Sequence, residues 1–529
     1  MSVLVLLVYS RCLNNGYTEL DDTIFVNEFH AYNSQPENLL HSFRRGVFNE
    51  NKDIYYRPML LNSFIVNTFL SEEDLKAFFL FNIVLHLLSV IFLFYVFRKL
   101  KVDSVIAFLL AAVFAVHPAL TQAVAWIPGR NDTLLALFGF SSLWCLLHYR
   151  EVHKPVFLIL HVFTLLLALF TKETAIMWAP VYFMLLVVVF GASWKDRKML
   201  LYYGVWTGAY LLWFLVRSMA TLKSNPVWEG NVLMKIIARI PVALQYFGKA
   251  VLPVNLSVFP MQDQTSYIPG IVALVLFIIL LFLSKGAQRS YWWAGFAWFI
   301  LMLTPLFLLP ASINDQDFEH RMYNALPGLL LVLPETWLFR NKPLRTYLIA
   351  GLLLIGLFSF QTYRQQGYFS DPKTFWEEAV KSSPQSAYAN MMLAARLDST
   401  ETARAKTLMH KAYSLNPKER YVNYYLGKQA LEENKLPEAK KYLQEELKGS
   451  AYYDTWFLLS RLCFMENDTL GSISYMEQYL KIDPKNPQAI NNLALMWIDH
   501  GEKQKAFRFL SEKRAAGVVI SEQLYRLSQ

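Results

Sequence analysis

Two adjacent carboxylates, Asp21 and Asp22, stand in a polar segment ahead of the first long apolar run. A carboxylate in such a place can take the proton of a hydroxyl nucleophile, provided that its neighbour or its burial tunes its protonation. The plainer reading is a helix N-cap, since Asp favours that position and an apolar pattern follows. A second set runs from His117 to Asp132 and ends Trp126-Ile127-Pro128-Gly129-Arg130-Asn131-Asp132, with Pro and Gly fixing turns. Polar groups held at membrane depth are costly and usually line a polar cavity. Asn131 and Asp132 also fit capping of the apolar run that follows. Arg130 does not, because a cation at a helix N-terminus opposes the macrodipole; it suits a phosphate, which guanidinium binds well. A third cluster spans residues 315–323, from Asp315 through Glu319-His320-Arg321-Met322-Tyr323. Tyr56-Arg57-Pro58 and Lys172-Glu173 are further candidates, whereas His86 and His161 lie inside apolar runs and read as packed or hydrogen-bonded. Cys12, Cys145 and Cys463 show no metal spacing and suggest no disulfide pair.

These residues need a frame, and the composition names it. Of 529 residues 55% are hydrophobic and 16% aromatic, both high for a soluble protein. Runs long enough to cross a bilayer recur near 77–97, 104–117, 132–149, 155–171, 174–191, 199–218, 267–284, 291–310, 322–339 and 344–362. The run at 3–9 is shorter than the roughly 17 residues a crossing needs. It reads as a first span cut short, since neither a basic leader nor a small-residue cleavage site marks a signal peptide. The net charge of +9 sits largely in short loops, which sets orientation and argues against a nucleic-acid partner. Arg98 to Lys101, Arg150 to Lys154, Lys195 to Lys198, Lys285 to Arg289 and Arg340 to Arg345 occupy every second connection, so they are placed in the cytoplasm. The opposite face then holds residues 10–76, 117–132, 219–266, 311–321 and everything after about 365. The stretch 234–252, with Lys235, Arg239 and Lys249 along a helical pattern, reads as lying in the membrane interface.

From Phe375 onward the long apolar runs stop and a period begins. Small residues Ala405, Ala439, Ser472 and Ala506 recur at separations of 34, 33 and 34, and Pro384, Pro417 and Pro484 keep the same frame. Such a period is that of tetratricopeptide repeats, in which small residues sit where paired helices touch. The expected fold is therefore all-α: a polytopic transmembrane bundle of about 10–11 spans over residues 1–365, then a soluble repeat solenoid of about four repeats over 366–529. Arrays of this kind present a concave groove to an extended peptide or partner protein.

In this order the pieces resemble the transmembrane-and-tetratricopeptide-repeat O-mannosyltransferases, a GT-C class family. The segments that carry the resemblance are Leu13-Asn14-Asn15-Gly16-Tyr17 with Asp21-Asp22, Tyr56-Arg57-Pro58-Met59, His117-Pro118 with Ala125 to Asp132, Lys172-Glu173-Thr174-Ala175, Pro253-Val254-Asn255-Leu256-Ser257 and Glu319-His320-Arg321-Met322-Tyr323. His320 and Met322 depart from the family's usual residues in the last of these. The resemblance implies an inverting glycosyltransferase with a polyprenyl-phosphate sugar donor, used on the non-cytoplasmic face. It implies Asp21 or Asp22 as base, and Arg130, Arg321, His117 and Arg57 on the donor phosphate. Asp132, Asn131, Glu173, Lys172, Glu319, Tyr323 and Tyr56 would support them. A divalent metal held by Asp21, Asp22 and Asp132 is left open, since hard cations need more oxygen ligands than these supply. The partners expected are the lipid-linked sugar, membrane lipid and a protein acceptor or partner on the repeats. The alternative is a non-catalytic membrane anchor whose repeats recruit partners, which gives the aspartates and arginines no role. A transporter should show broken spans or internal symmetry, and neither is evident.

Overall fold

The computed structural model describes residues 1–48, 54–221, 232–308, 316–449 and 452–529. Asp315 and the side chain of Lys235 lie outside the described residues. Among those described the chain is helical, its β structure limited to an isolated bridge between Met261 and Gln316. It forms two compact units, Met1–Ser383 and Pro384–Gln529.

Among the described residues of the first unit four helices are long and apolar enough to cross a membrane: Leu75–Lys99, Arg197–Ala220, Arg289–Leu308 and Leu344–Phe369. Ser104–Ala115 and Pro118–Ala125 make a fifth candidate as a pair bent by 52°. The chain is a multi-pass membrane protein, but the expected ten or so runs do not all become full-length spans. Pro155–Leu169, Glu173–Val189, Ile268–Phe282 and Leu326–Glu335 are shorter apolar helices. The reason is that an apolar run need not be one helix. The run after Lys172 is split into a 3-10 turn (Glu173–Met177), an α-helix (Trp178–Met184) and a π turn (Leu185–Val189). Irregular backbone of this kind is tolerated at membrane depth where protein surrounds it.

Close backbone approach sets the wall of the later site. A Cβ on Gly295 would sit 2.4 Å from the carbonyl oxygen of Gly328, and one on Gly328 would sit 2.4 Å from that of Gly295. Only glycine at both positions lets Arg289–Leu308 lie directly on Leu326–Val332, a packing mode usual in membranes. Helix Val232–Val251 is not among the span candidates. It exposes Met234, Ile237 and Ile240 and buries Arg239, Gln245 and Lys249. Its buried cations are paired, Arg239 to Asp317 at 2.6 Å and Lys249 to Glu319 at 2.8 Å, as charges taken out of water must be.

Helix Pro372–Ser382, inside the stretch 366–529 assigned to the repeats, belongs to the first unit. The fully buried Trp376 donates its indole N–H to the Thr18 carbonyl at 3.0 Å, and Ser383 donates to the Phe259 carbonyl at 2.7 Å. The division between units thus falls later than the 365/366 boundary, because periodicity shows a helix's apolar face but not what covers it.

The second unit is a series of helix pairs. Ala439, Ser472 and Ala506 are fully buried in Leu436–Lys448, Thr469–Ile482 and Lys503–Ala515, and each stands one turn into its helix. Gly427 lies under Leu443, whose Cδ2 would be 2.6 Å from an added Cβ. The period recurs in hydrogen bonds: Asn390 donates to the Pro384 carbonyl at 3.0 Å, and Asn423 donates to that of Pro417 at 2.7 Å.

Candidate active site

A cavity of about 410 Å³ opens within the first unit. Asp21, Arg57, Asn131, Asp132, Lys172, Glu173 and Arg321 all line it. So do Trp126 and His320, which belong to motifs read from the sequence but were given no role there, and Arg217 and Asn324, which lie outside those motifs. Much of the remaining wall is apolar, with Phe25, Leu303, Pro305 and Leu306 among the contributors.

The two adjacent aspartates divide. Asp22 is buried and turned back into its own loop, where its carboxylate accepts from the Thr18 N–H at 2.6 Å, the Thr18 hydroxyl at 2.9 Å and the Thr23 N–H at 3.1 Å. Burial raises its pKa, against the pull of those bonds. The loop so tied presents Asp21 to the cavity. Of the two residues proposed as base, Asp22 is therefore a brace inside its own loop; it is not a helix N-cap, since the cap position of Ile24–Glu28 is Thr23, which makes no side-chain cap bond.

Arg57 is placed by three partners. Its Nε donates to Glu173 Oε2 at 3.0 Å, and its guanidinium lies 4.6 Å over the Tyr55 ring. With its amide oriented to satisfy both neighbours, Asn131 accepts from Arg57 Nη1 at 2.9 Å and donates to the Thr171 carbonyl at 3.0 Å. Burial acts against the Arg57 charge, yet Glu173, Tyr55 and Asp132 together outweigh it and the pKa is raised. Glu173 also accepts from the Tyr56 N–H at 2.9 Å. The Tyr56 side chain is buried elsewhere, donating its hydroxyl to the Phe43 carbonyl at 3.0 Å.

Lys172 grips Asp132, its Nζ standing 2.8 Å from each carboxylate oxygen. Burial lowers the Lys172 pKa and Arg57 adds to that, while Asp132 opposes both. Arg321 donates to the Gln316 carbonyl at 2.7 Å and is 3.9 Å from Asp317. Asp317 is closer to Arg239, so Arg321 keeps donors to offer. Arg217 reaches the same cavity from Arg197–Ala220 and donates to the Ile54 carbonyl at 3.1 Å. Cations held in a dry site act more strongly on a developing anion than they would in water.

Four other candidates are not in the wall. Arg130 is fully buried, donating to Asn82 Oδ1 at 2.9 Å and the Phe78 carbonyl at 3.0 Å, with the Phe64 ring 4.3 Å away. It is indeed not a cap, but aromatic faces and carbonyls hold its charge where a phosphate was expected. His117 bridges the break before Pro118, donating from Nε2 to the Ala250 carbonyl at 3.1 Å while Nδ1 accepts from the Ala119 N–H. Glu319 holds Lys249 and accepts from the Ser257 N–H at 2.8 Å; burial raises its pKa against the pull of Lys249. Tyr323 donates to His86 Nδ1 in the core. His161 is likewise bonded, to Ser142 and Trp206.

The carboxylates considered for a metal do not converge. Asp22 is turned into its loop and Asp132 is paired with Lys172, and among the described residues no three His, Cys, Asp or Glu side chains are grouped to hold an ion. The residues present do not fit a divalent cation.

Parts of the chain align with proteins named for a transferase. A protein O-mannosyl-transferase of Mus musculus, TMTC1, is 32% identical over 170 residues, which is 30% of this chain and 17% of that protein. The protein O-mannosyl-transferase F38B6.6 of Caenorhabditis elegans is 28% identical over 190 residues, 34% of this chain and 26% of that protein. Human TMTC1 is 34% identical over 143 residues, covering 25% and 16%. The chain resembles the TMTC protein O-mannosyl-transferases. The alignments take in well under two thirds of the length of these TMTC proteins. No protein-family model matches. Among solved structures, the crystal structure of yeast Tom70 covers 75% of this chain and 91% of its own at 14% identity, with a TM-score of 0.23, too low to bear on the fold.

Proposed function

We propose that the first unit transfers a sugar, mannose or a similar hexose, from a polyprenyl-phosphate donor to an acceptor hydroxyl, with inversion. The observation that carries this reading is one cavity lined by a carboxylate, Asp21, and by the cations Arg57, Lys172, Arg217 and Arg321. Asp21 takes the proton of the acceptor hydroxyl as its oxygen bonds to the anomeric carbon. The bond from that carbon to the donor phosphate oxygen breaks, and the leaving polyprenyl phosphate carries the electron pair away. Arg57 and Arg321, with Arg217, meet the growing charge on that phosphate. Glu173, Asn131 and Asp132 hold Arg57 and Lys172 in place.

The printed names of the TMTC relatives support a Ser or Thr hydroxyl of a protein as acceptor. The repeat unit suits presentation of such a chain. The wall residues fall in or beside segments that loop charge assigns to the non-cytoplasmic face. That supports chemistry on that side, the periplasmic face of a bacterial inner membrane or the lumenal face of the endoplasmic reticulum.

The test is sugar transfer by the purified, detergent-solubilised protein to extracted proteins from a panel of polyprenyl-phosphate sugars. Transfer by wild type that collapses in Asp21→Asn, at unchanged folding, supports the reading. Transfer that survives this substitution removes Asp21 as base, and absence of transfer with every donor favours the scaffold alternative.

A further inference from the structure

We infer that Trp126, Phe318, His320 and Asp132 form a hexose subsite in which His320 Nε2 and an Asp132 oxygen accept hydrogen bonds from neighbouring sugar hydroxyls. This rests on the transferase reading and names what the site recognises in the transferred group.

The argument starts from a proton position. Gln122 turns its amide NH2 to the Val258 carbonyl, which can only accept, at 3.4 Å. Its Oε1 is therefore the atom that meets His320 Nδ1 at 3.0 Å, and Nδ1 must carry the hydrogen. Burial keeps the ring neutral, reinforced by Lys172, Arg321 and Arg57. Nε2 is thus left as an acceptor. It stands 3.8 Å from Asp132 Oδ2, beyond hydrogen-bond reach, and two acceptors cannot satisfy each other in any case. Lys172 takes one lone pair of each Asp132 oxygen, and a carboxylate oxygen has two.

Two acceptors side by side on a cavity wall call for two donors side by side, and adjacent hydroxyls of a pyranose present that pattern. Phosphate does not, since it brings acceptors only, so it is left to the arginines. The same wall supplies an apolar face. Trp126 and Phe318 stack at 6.4 Å between centroids, and Phe318 and His320 stack at 5.3 Å with planes 20° apart. All three rings line the cavity and suit the C–H face of a sugar ring. An independent observation points the same way. Trp126 Nε1 and Asn324 Oδ1, buried atoms of two lining residues, have no hydrogen-bond partner among the described residues. Native structures leave few such groups, and each calls for a ligand, a water or a strain.

Binding to the full-length protein in detergent, read by tryptophan fluorescence, tests this without relying on transfer. The probes are polyprenyl phosphate, polyprenyl-phosphate mannose, and mannosyl lipids lacking one hydroxyl each. Wild type should bind the mannosyl lipid more tightly than the bare lipid phosphate by roughly tenfold per hydrogen bond gained. One or two of the deoxy lipids should lose that advantage. His320→Phe, which keeps the stacked ring, should abolish the advantage and leave affinity for the bare lipid within about twofold. A wild type that binds bare and mannosyl lipid alike overturns the subsite and leaves the transferase reading standing. Failure to bind either lipid overturns both. An advantage that persists in His320→Phe removes His320 from the subsite, and if that variant does not fold, the deoxy series on wild type decides.

Discussion

Charge is used in opposite ways in the two units. In the first, the pairs Lys172–Asp132, Arg239–Asp317 and Lys249–Glu319 are almost wholly withdrawn from water, none of their side chains more than 12% exposed. In the second, Lys448–Glu445 is 71% and 51% exposed and Arg514–Glu522 is 49% and 61% exposed. The repeat core instead is apolar, with Leu443, Leu459, Leu462, Ile490, Leu493 and Leu510 inside. An exposed pair contributes about 0–1 kcal/mol and can be lost unnoticed. A buried pair with one member removed leaves a naked charge, at a cost of about 3–5 kcal/mol. A protein keeps such an arrangement where charge must stand at one position, and here each buried pair either lines the cavity or anchors the segment that does. The first unit sacrifices tolerance for placement, while the second is built for packing and solubility.

The contrast can be broken most forcefully at Asp21. Asp21→Asn should lower the initial rate of transfer by about 10²–10⁴, the span of general-base catalysis. Asp22→Asn should leave the rate per folded molecule close to wild type while lowering the midpoint of thermal unfolding. Equal loss of rate in both would show that the neighbours are not divided as their hydrogen bonds say. Lys249→Ala comes next: it strands Glu319 and should destabilise the first unit by about 3–5 kcal/mol. Replacing both Lys249 and Glu319 by Met should recover much of that in denaturant titrations. Little difference between the single and double variants would mean that the pair is not the anchor proposed.

Two arginines sharpen the contrast within the first unit. Arg130→Lys should cost about 1–3 kcal/mol of stability through lost carbonyl bonds with no change in donor KM. Arg321→Lys should do the reverse, raising donor KM at unchanged stability, because Lys offers a point charge in place of a fork. In the repeat unit Ala439→Leu should overpack the helix seam and cost about 1–3 kcal/mol. The smallest effect is expected at the surface, where Lys448→Ala should shift stability by no more than about 0.5 kcal/mol. A larger shift there would end the claim that the second unit's exposed ion pairs are dispensable.

The helical repeats were legible because their information is local. Helix periodicity and a small residue every 33 or 34 positions describe contacts between neighbouring helices, and the buried Ala439, Ser472 and Ala506 stand in those seams. Membrane character was legible for the same reason, since apolar length and loop charge are sums over adjacent residues. Which runs became full-length spans was not, because the backbone breaks after Lys172 depend on protein packed around them.

For the site, the sequence by itself singled out segments that reach the cavity: those of Asp21 and Asp22, Asn131 and Asp132, Lys172 and Glu173, Arg57, and Arg321. Tertiary structure alone decided which side chains face the cavity. Asp21 and Asp22 are chemically identical and adjacent, and the loop bonds to Thr18 and Thr23 separate them. Arg130 and Arg321 carry the same cation at similar positions, and three phenylalanine rings near the first claim it for the core. His320 had a signal, a histidine beside an arginine ahead of an apolar run, but its meaning depends on Gln122, 198 residues away in the chain. A residue type fixes what a group can do, and only the neighbours that folding brings to it fix whether it is free to do so.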